Sequence, residues 1–453
     1  MSIPAMLADN GFAERLAALL SLRDHNTQVV IAGTTLLGLA AGVVGVYMLL
    51  RRRSLIGDAL SHATLPGLGL AFIVMVALGG TGKSLPGLLA GAVIFGLIAT
   101  GAALAINAFS RIKPDAALGI VLSVFFGLGV AIMGIVQRMP TGNQAGLESF
   151  IYGKTASMLT SDAQAIGATA LLVLVTCVVL YKEFAILSFD PDFGRAQGWP
   201  VFGLDVTMML LVTAVTVIGL QAVGLILIIA LLITPAAAAR FWTNRLPWML
   251  AVSGGIGAIS GCVGSGLSAV VPRLPAGAII VLVAAGFFGI SMLIGVRHGL
   301  VLRIVQASRL RRRVARQHLL RAMYEWLDRE PDGIARTVPR AALLRARSWS
   351  PRRLGRCLRS ARSDGLITAT RDGARLTDSG RREAARVARN HRLWEIYLIT
   401  HADIAPSHVD RDADQIEHVL DPTMIRSLEA KLAGTETRDV PASPHVLTNG
   451  GDA

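Results

Sequence analysis

Asp58 and His62 stand four residues apart in the stretch RRRSLIGDALSHATLPG, Arg51–Gly67, where one apolar run gives way to the next. On a helix, that spacing puts a carboxylate and an imidazole on one face, about one turn apart. A carboxylate and an imidazole on one face of a membrane helix could hold a divalent cation. A blander reading stays open beside it, in which the aspartate caps a helix end and the histidine is structural. The same chemistry recurs late in the chain. His391 and Glu395 are spaced i, i+4, and Asp414, Glu417 and His418 are spaced i, i+3 and i+4. Each set puts imidazole and carboxylate on a single helix face.

Other chemistries find little support. Cys177, Cys262 and Cys357 are far apart and form no CxxC pair, so neither a disulfide framework nor a thiolate metal site follows. There is no HExxH and no nucleophile–base constellation, so the chain is expected not to be an enzyme. ALGGTGKS, Ala77–Ser84, fits a loose phosphate-loop pattern, but that loop needs a preceding strand and a following helix aimed at the nucleotide. It lies between two apolar runs and is expected to be a polar turn.

The elements that position these residues are membrane helices. Of 453 residues, 53% are hydrophobic and only 16% charged, which is unusual for a soluble domain. Crossing a hydrocarbon core of ~30 Å takes roughly 20 apolar residues. Such runs occur at Thr27–Leu50, Ala59–Leu78, Leu85–Ala108, Ala116–Val136, Ala163–Leu180, Val201–Leu220, Ala222–Ala239, Leu246–Val270 and Ala276–Val296. The fold class expected is an all-α polytopic bundle of about nine spans followed by a winged helix–turn–helix and a helical dimerisation segment. Met1–His25 mixes charge with short apolar runs and does not read as a cleavable signal peptide.

Basic residues set the expected orientation. Arg51–Arg53, Arg111 with Lys113, Lys182 with Arg195, Arg240 with Arg245, and Arg297 with Arg303 fall on one side, read as cytoplasmic. That leaves the N-terminus outside and the last third of the chain on the cytoplasmic side of a bacterial plasma (inner) membrane. The net charge of +14 is concentrated in that last third and suggests anionic partners, lipid headgroups or nucleic acid among them. In the loop Glu183–Val201, Pro191 and Pro200 bracket a short amphipathic piece, with Phe189 and Phe193 on one side. It is either an ordinary connection or a short helix that docks into a partner's groove. Leu147–Leu159 is too short and polar to span and is expected to be interfacial or re-entrant.

Four stretches in order resemble the permease of ABC importers for manganese, zinc or iron: RRRSLIGDALSHATLPG (51–67), ESFIYGKTASMLTSD (148–162), FDPDFGRAQGWPV (189–201) and GLILIIALLITPAAAARF (224–241). The resemblance implies that Asp58 and His62 face the translocation path and contact Mn²⁺, Fe²⁺ or Zn²⁺. It also implies that Phe189, Asp190, Pro191, Asp192, Phe193 and Gly198 belong to a coupling helix that receives the stroke of a separate ATP-binding subunit. An extracytoplasmic metal-binding protein and a second permease subunit complete the implied assembly.

After Arg297 the composition changes. Helical runs at His318–Arg329, Arg340–Arg347 and Pro351–Asp364, then GLITATRDGARLTDSG as a wing, give a winged helix–turn–helix pattern. Its third helix carries Arg352, Arg353, Arg356 and Arg359, candidate contacts to DNA. Beyond it, Ala388–Leu420 resembles the metal-sensing and dimerisation part of diphtheria-toxin-repressor-type regulators. That resemblance implies a sensor for Mn²⁺ or Fe²⁺ built from His318, His391, Glu395, Asp414, Glu417 and His418. Arg321 departs from it, standing where some members carry an acid. The expected organisation is 1–26 external, 27–297 permease, 298–317 basic linker, 318–387 winged helix, 388–432 dimerisation helices and 433–453 tail. Two functions fit: a permease whose tail regulates transport, or a membrane-tethered metal-dependent transcriptional regulator.

Overall fold

A computed structural model describes residues 24–51, 56–80, 82, 84–139, 155–271, 274–329, 337–346 and 349–401. The chain divides into two units, Met1–Arg303 and Ile304–Ala453. In the first, α1 (His25–Leu50) opens on Asp24, whose carboxylate accepts the backbone N–H groups of Asn26 and Thr27, each at 3.3 Å. There follow α2 (Ile56–Ala77), α3 (Leu85–Phe109), α4 (Pro114–Gln137), a 3₁₀ turn at Thr155–Ser157 and α5 (Thr160–Val179). Two short helices, α6 (Tyr181–Phe189) and α7 (Pro191–Ala196), lead to α8 (Val201–Val223), α9 (Leu225–Arg240), α10 (Leu246–Val270) and α11 (Ala276–Ile294). Among the described residues, eight helices are long and apolar enough to cross a membrane.

The run expected as a span at Ala222–Ala239 takes another form. Gly224, at φ +86°, turns the chain between α8 and α9, a backbone state that glycine adopts without strain. The resulting α9 has 16 residues, roughly 24 Å at the α-helical rise, short of a ~30 Å core. Ala77–Ser84 joins α2 to α3 and follows a helix, as expected of a turn rather than a phosphate loop. Of Leu147–Leu159, residues 147–154 lie outside the described residues.

The most enclosed of the eight is α1, and its partner α10 meets it backbone to backbone. Thr34, Gly38 and Gly42 on α1 face Ser253, Gly257 and Gly261 on α10, both sets at four-residue spacing. A Cβ added at Gly38 or Gly257 would overlap the other's carbonyl oxygen. Ser253 Oγ donates to the Gly42 carbonyl at 2.6 Å, and Thr34 Oγ1 to the Gly261 carbonyl at 3.2 Å. Lipid supplies no hydrophobic force between helices, so close contact and hydroxyl–carbonyl bonds take over.

The second unit contains α12 (Leu300–Asp328, its first turn in unit 1), β1 (Val338–Pro339), α13 (Arg340–Ala346), α14 (Pro351–Ser363), β2 (Ile367–Ala369), β3 (Gly373–Leu376) and α15 (Asp378–His401). The strands form an antiparallel sheet of order β1–β3–β2, with Ile367 opposite Leu376 and Val338 opposite Ala374. This is the helix–strand–helix–helix–hairpin order of a winged helix. Ser350 caps α14, accepting the Arg353 N–H at 3.3 Å, and Pro351 fills the first turn. Leu354, Cys357 and Ala361 then turn into a core with Leu319, Leu320, Met323 and Leu343. The helix expected from His318 is the end of the longer α12, so the basic stretch 298–317 is helical from Leu300 onward.

Candidate functional site

Asp58 lies in the first turn of α2, where the helix dipole favours a carboxylate. His62 Nε2 is 3.3 Å from Asp58 Oδ1, and the two side chains are 22% and 34% exposed, so neither is sealed off. Since a carboxylate only accepts, the proton between them belongs on Nε2, which leaves a lone pair on Nδ1 of the neutral ring. Nδ1 is buried and has no hydrogen-bond partner among the described residues. The ring stands edge-on to Phe126 of α4, centroids 4.9 Å apart. Pro66, inside α2, has no N–H for the carbonyl one turn back, that of His62. A carboxylate, an imidazole nitrogen and a released carbonyl thus share one stretch of helix. No group of three or more His, Cys, Asp or Glu able to hold a metal occurs among the described residues. Two side-chain ligands suit an ion that must leave again better than a closed cage would.

The segment Phe189–Gly198 is built by local capping. The Asp190 carboxylate accepts the Phe193 N–H at 2.9 Å, Pro191 starts α7, and Gly198 at φ +79° releases the chain towards α8. Phe189 and Phe193 are 63% and 53% exposed, while Asp192 is paired with Arg195 at 2.6 Å on the surface. Arg51, read in the sequence only as a boundary charge, reaches both flanks of α7. Its Nη1 donates to the Leu187 carbonyl of α6 at 3.0 Å, and its Nη2 pairs with Asp205 Oδ1 of α8 at 3.2 Å. Asp205 escaped the sequence reading. Its signal was an acid inside an apolar span, which calls for a buried partner.

In the second unit Arg352, Arg353, Arg356 and Arg359 are all exposed on α14. Arg353, Arg356 and Arg359 line a groove of about 1110 Å³ together with Arg311, Arg312 and Arg316 of α12. Its charge suits a polyanion. Burial pushes the Cys357 thiol beside it up, against the opposing pull of Arg353 and Arg356. Of the expected sensor residues, His391 and Glu395 come together, Nε2 to Oε1 at 3.0 Å. The neighbour they share is Arg321 of α12, whose Nη1 lies 2.6 Å from His391 Nδ1 and 2.9 Å from Nε2. Arg321 Nε also pairs with Glu325 Oε1 at 2.9 Å. His318 sits one turn earlier on α12, half-buried. Asp414, Glu417 and His418 lie outside the described residues. Earlier on α15, the hydrogen bond from Arg386 holds the Glu383 carboxyl below its usual range, against its partial burial.

Residues 23–295 match the ABC 3 transport family, and residues 377–443 match the iron dependent repressor, metal binding and dimerisation domain. The manganese transport system membrane protein MntC of Bacillus subtilis (strain 168) is 38% identical over 395 residues, covering 87% of this chain and 88% of its own length. The zinc transport system membrane protein TroC of Treponema pallidum (strain Nichols) is 41% identical over 286 residues, covering 63% of this chain and 94% of its own. Among solved structures, PsaBC from Streptococcus pneumoniae in complex with Fab is similar at a TM-score of 0.54 and 35% identity, over 63% of this chain and 97% of that one. Both resemblances carried by the motifs are borne out.

Proposed function

Since the chain belongs to the ABC 3 transport family, we propose that it is the membrane-spanning permease subunit of an ATP-driven importer of divalent transition-metal ions, Mn²⁺, Zn²⁺ or Fe²⁺. The observation that carries this reading is the Asp58–His62 pair on α2, a carboxylate and an imidazole 3.3 Å apart on one helix and both partly exposed. The names of similar proteins, manganese and zinc transport system membrane proteins, support the substrate class. The chain contributes the path and no ATP chemistry. Hydrolysis belongs to a separate ATP-binding subunit that docks on α7, with Phe189 and Phe193 filling its groove and Asp190, Pro191, Asp192 and Gly198 shaping the helix. An extracytoplasmic metal-binding protein delivers the ion, and a second permease subunit forms the other half of the path.

The bundle lies in a bacterial plasma membrane with its N-terminus outside and Ile304–Ala453 in the cytoplasm, following the basic residues at Arg51, Arg111, Arg240 and Arg297. The carboxy-terminal unit acts on transport as a regulatory arm, and arginines near the start of α12 bind anionic lipid. A second reading, a tethered transcriptional regulator, is favoured by one observation, the exposed Arg352, Arg353, Arg356 and Arg359 of α14. Proteoliposomes holding this chain and its ATP-binding subunit test the proposal. Radioactive Mn²⁺ should accumulate only with ATP, and competing Zn²⁺ and Fe²⁺ then rank the ions. Absence of ATP-dependent uptake for all three would remove the importer reading. Retention of operator-like duplex by the full chain, lost on Arg356→Glu, would establish the second.

A further inference from the structure

Three groups meet between α12 and α15 that are among the most buried charged or ionisable side chains described: Arg321 at 4% exposure, His391 at 2% and Glu395 at 1%. We infer that the His391–Glu395 corner of the carboxy-terminal unit takes Arg321, and not a metal ion, as its cation. A guanidinium has donors only and keeps its charge at any physiological pH. Arg321 Nη1 lies within reach of both imidazole nitrogens, 2.6 Å from Nδ1 and 2.9 Å from Nε2, and donates to the nearer, Nδ1, which presents its lone pair. The other nitrogen, 3.0 Å from Glu395 Oε1, must carry the proton, because a carboxylate only accepts. Both nitrogens are thus committed, in the order guanidinium, neutral imidazole, carboxylate.

A divalent ion binds the imidazole through the same lone pair. To enter here it would have to expel Arg321 from a buried niche, together with the bond from Arg321 Nε to Glu325 at 2.9 Å. A second cation here would face Arg321 at short range, where repulsion is poorly screened away from water. The neighbouring contacts hold the same seam. Arg392 pairs with Asp328 at 3.0 Å, and its guanidinium lies 6.0 Å from the centre of the Tyr324 ring. Residues 377–443 match a metal binding and dimerisation domain, yet the described residues at this corner, Arg321, His391 and Glu395, do not fit a metal. The α12–α15 seam is locked by a covalently supplied cation, and its closure does not depend on metal concentration. This inference is independent of the transport reading.

The test uses the full chain in nanodiscs, carrying Asp58→Asn and His62→Ala so that the proposed path no longer binds. Mn²⁺ is titrated in and the free ion followed by electron paramagnetic resonance. In that background, Glu395→Gln should leave Mn²⁺ stoichiometry and affinity unchanged. Arg321→Glu should add one Mn²⁺ per chain, at least tenfold tighter than any site in its parent. Should Arg321→Glu fail to fold, Arg321→Met keeps the aliphatic stem. It should lower the unfolding temperature, and Mn²⁺ should restore part of the loss while leaving the parent unmoved. A Mn²⁺ site in the parent that Glu395→Gln abolishes would overturn the inference. So would the absence of any gain in both Arg321 variants.

Discussion

In the membrane unit α1 and α10 touch through glycine backbone, whereas in the carboxy-terminal unit α12 and α15 touch through buried charged side chains. The first arrangement keeps helices neutral and close, and it leaves few charged groups in the spans. Each of those becomes conspicuous: Asp58 beside His62, and Asp205 held by Arg51. The second surrounds an apolar core of Leu319, Met323 and Leu354 with arginine and then buries Arg321 among acids and a histidine. A charge in the first unit stands out because it is paired within or at the edge of an apolar span. In the second it marks a seam, since a buried pair contributes little net stability but is costly to break.

The comparison can be broken first where the backbones meet. Gly38→Val puts a branched side chain onto the Gly257 carbonyl and should cost about 3 kcal/mol, the upper end for overpacking. Little monodisperse protein should survive detergent extraction, while Gly286→Val, at a site with open space around the Cβ, should behave like wild type. Equal yields would mean that α1 and α10 are not closely packed.

The next largest effect falls on the Arg51–Asp205 pair, which ties the end of α1 to α8. Asp205→Asn leaves the part-buried Arg51 guanidinium without its counter-charge, at a cost of about 1–3 kcal/mol. With the ATP-binding subunit present, hydrolysis should continue while metal uptake falls several-fold, and Asp205→Glu should recover part of it. A parallel loss of both activities would make the pair merely structural. The smallest effect is expected from Ser253→Ala, which removes the 2.6 Å bond to the Gly42 carbonyl. Interhelical bonds of this kind average about 0.6 kcal/mol, so a slight fall in unfolding temperature with normal transport is expected.

What was legible in the sequence follows the range of each signal. Asp58 and His62 declare themselves because i, i+4 is a local rule, and α7 because Pro191 and Pro200 bracket it. The winged helix was readable from Ser350–Pro351 and the turn residues before β3. Three features were not. The shortness of α9 was hidden because apolar residues run on both sides of Gly224, and only the backbone angle shows the turn. The length of α12 was hidden by its arginines, which read as a linker although arginine is a good helix former. The Arg51–Asp205 and Arg321–His391 contacts join distant parts of the chain, the latter 70 residues apart, so no local pattern announces them.

The central claim is that Asp58 and His62 line the path of a transported divalent ion. Its most direct test is ATP-dependent uptake of radioactive Mn²⁺ by proteoliposomes, with Asp58→Asn and His62→Ala compared to wild type at equal inserted protein. The account predicts at least a tenfold loss of uptake in each variant, with the ATP-binding subunit still bound. Uptake at the wild-type rate in both would contradict it and leave the pair as a capped helix end.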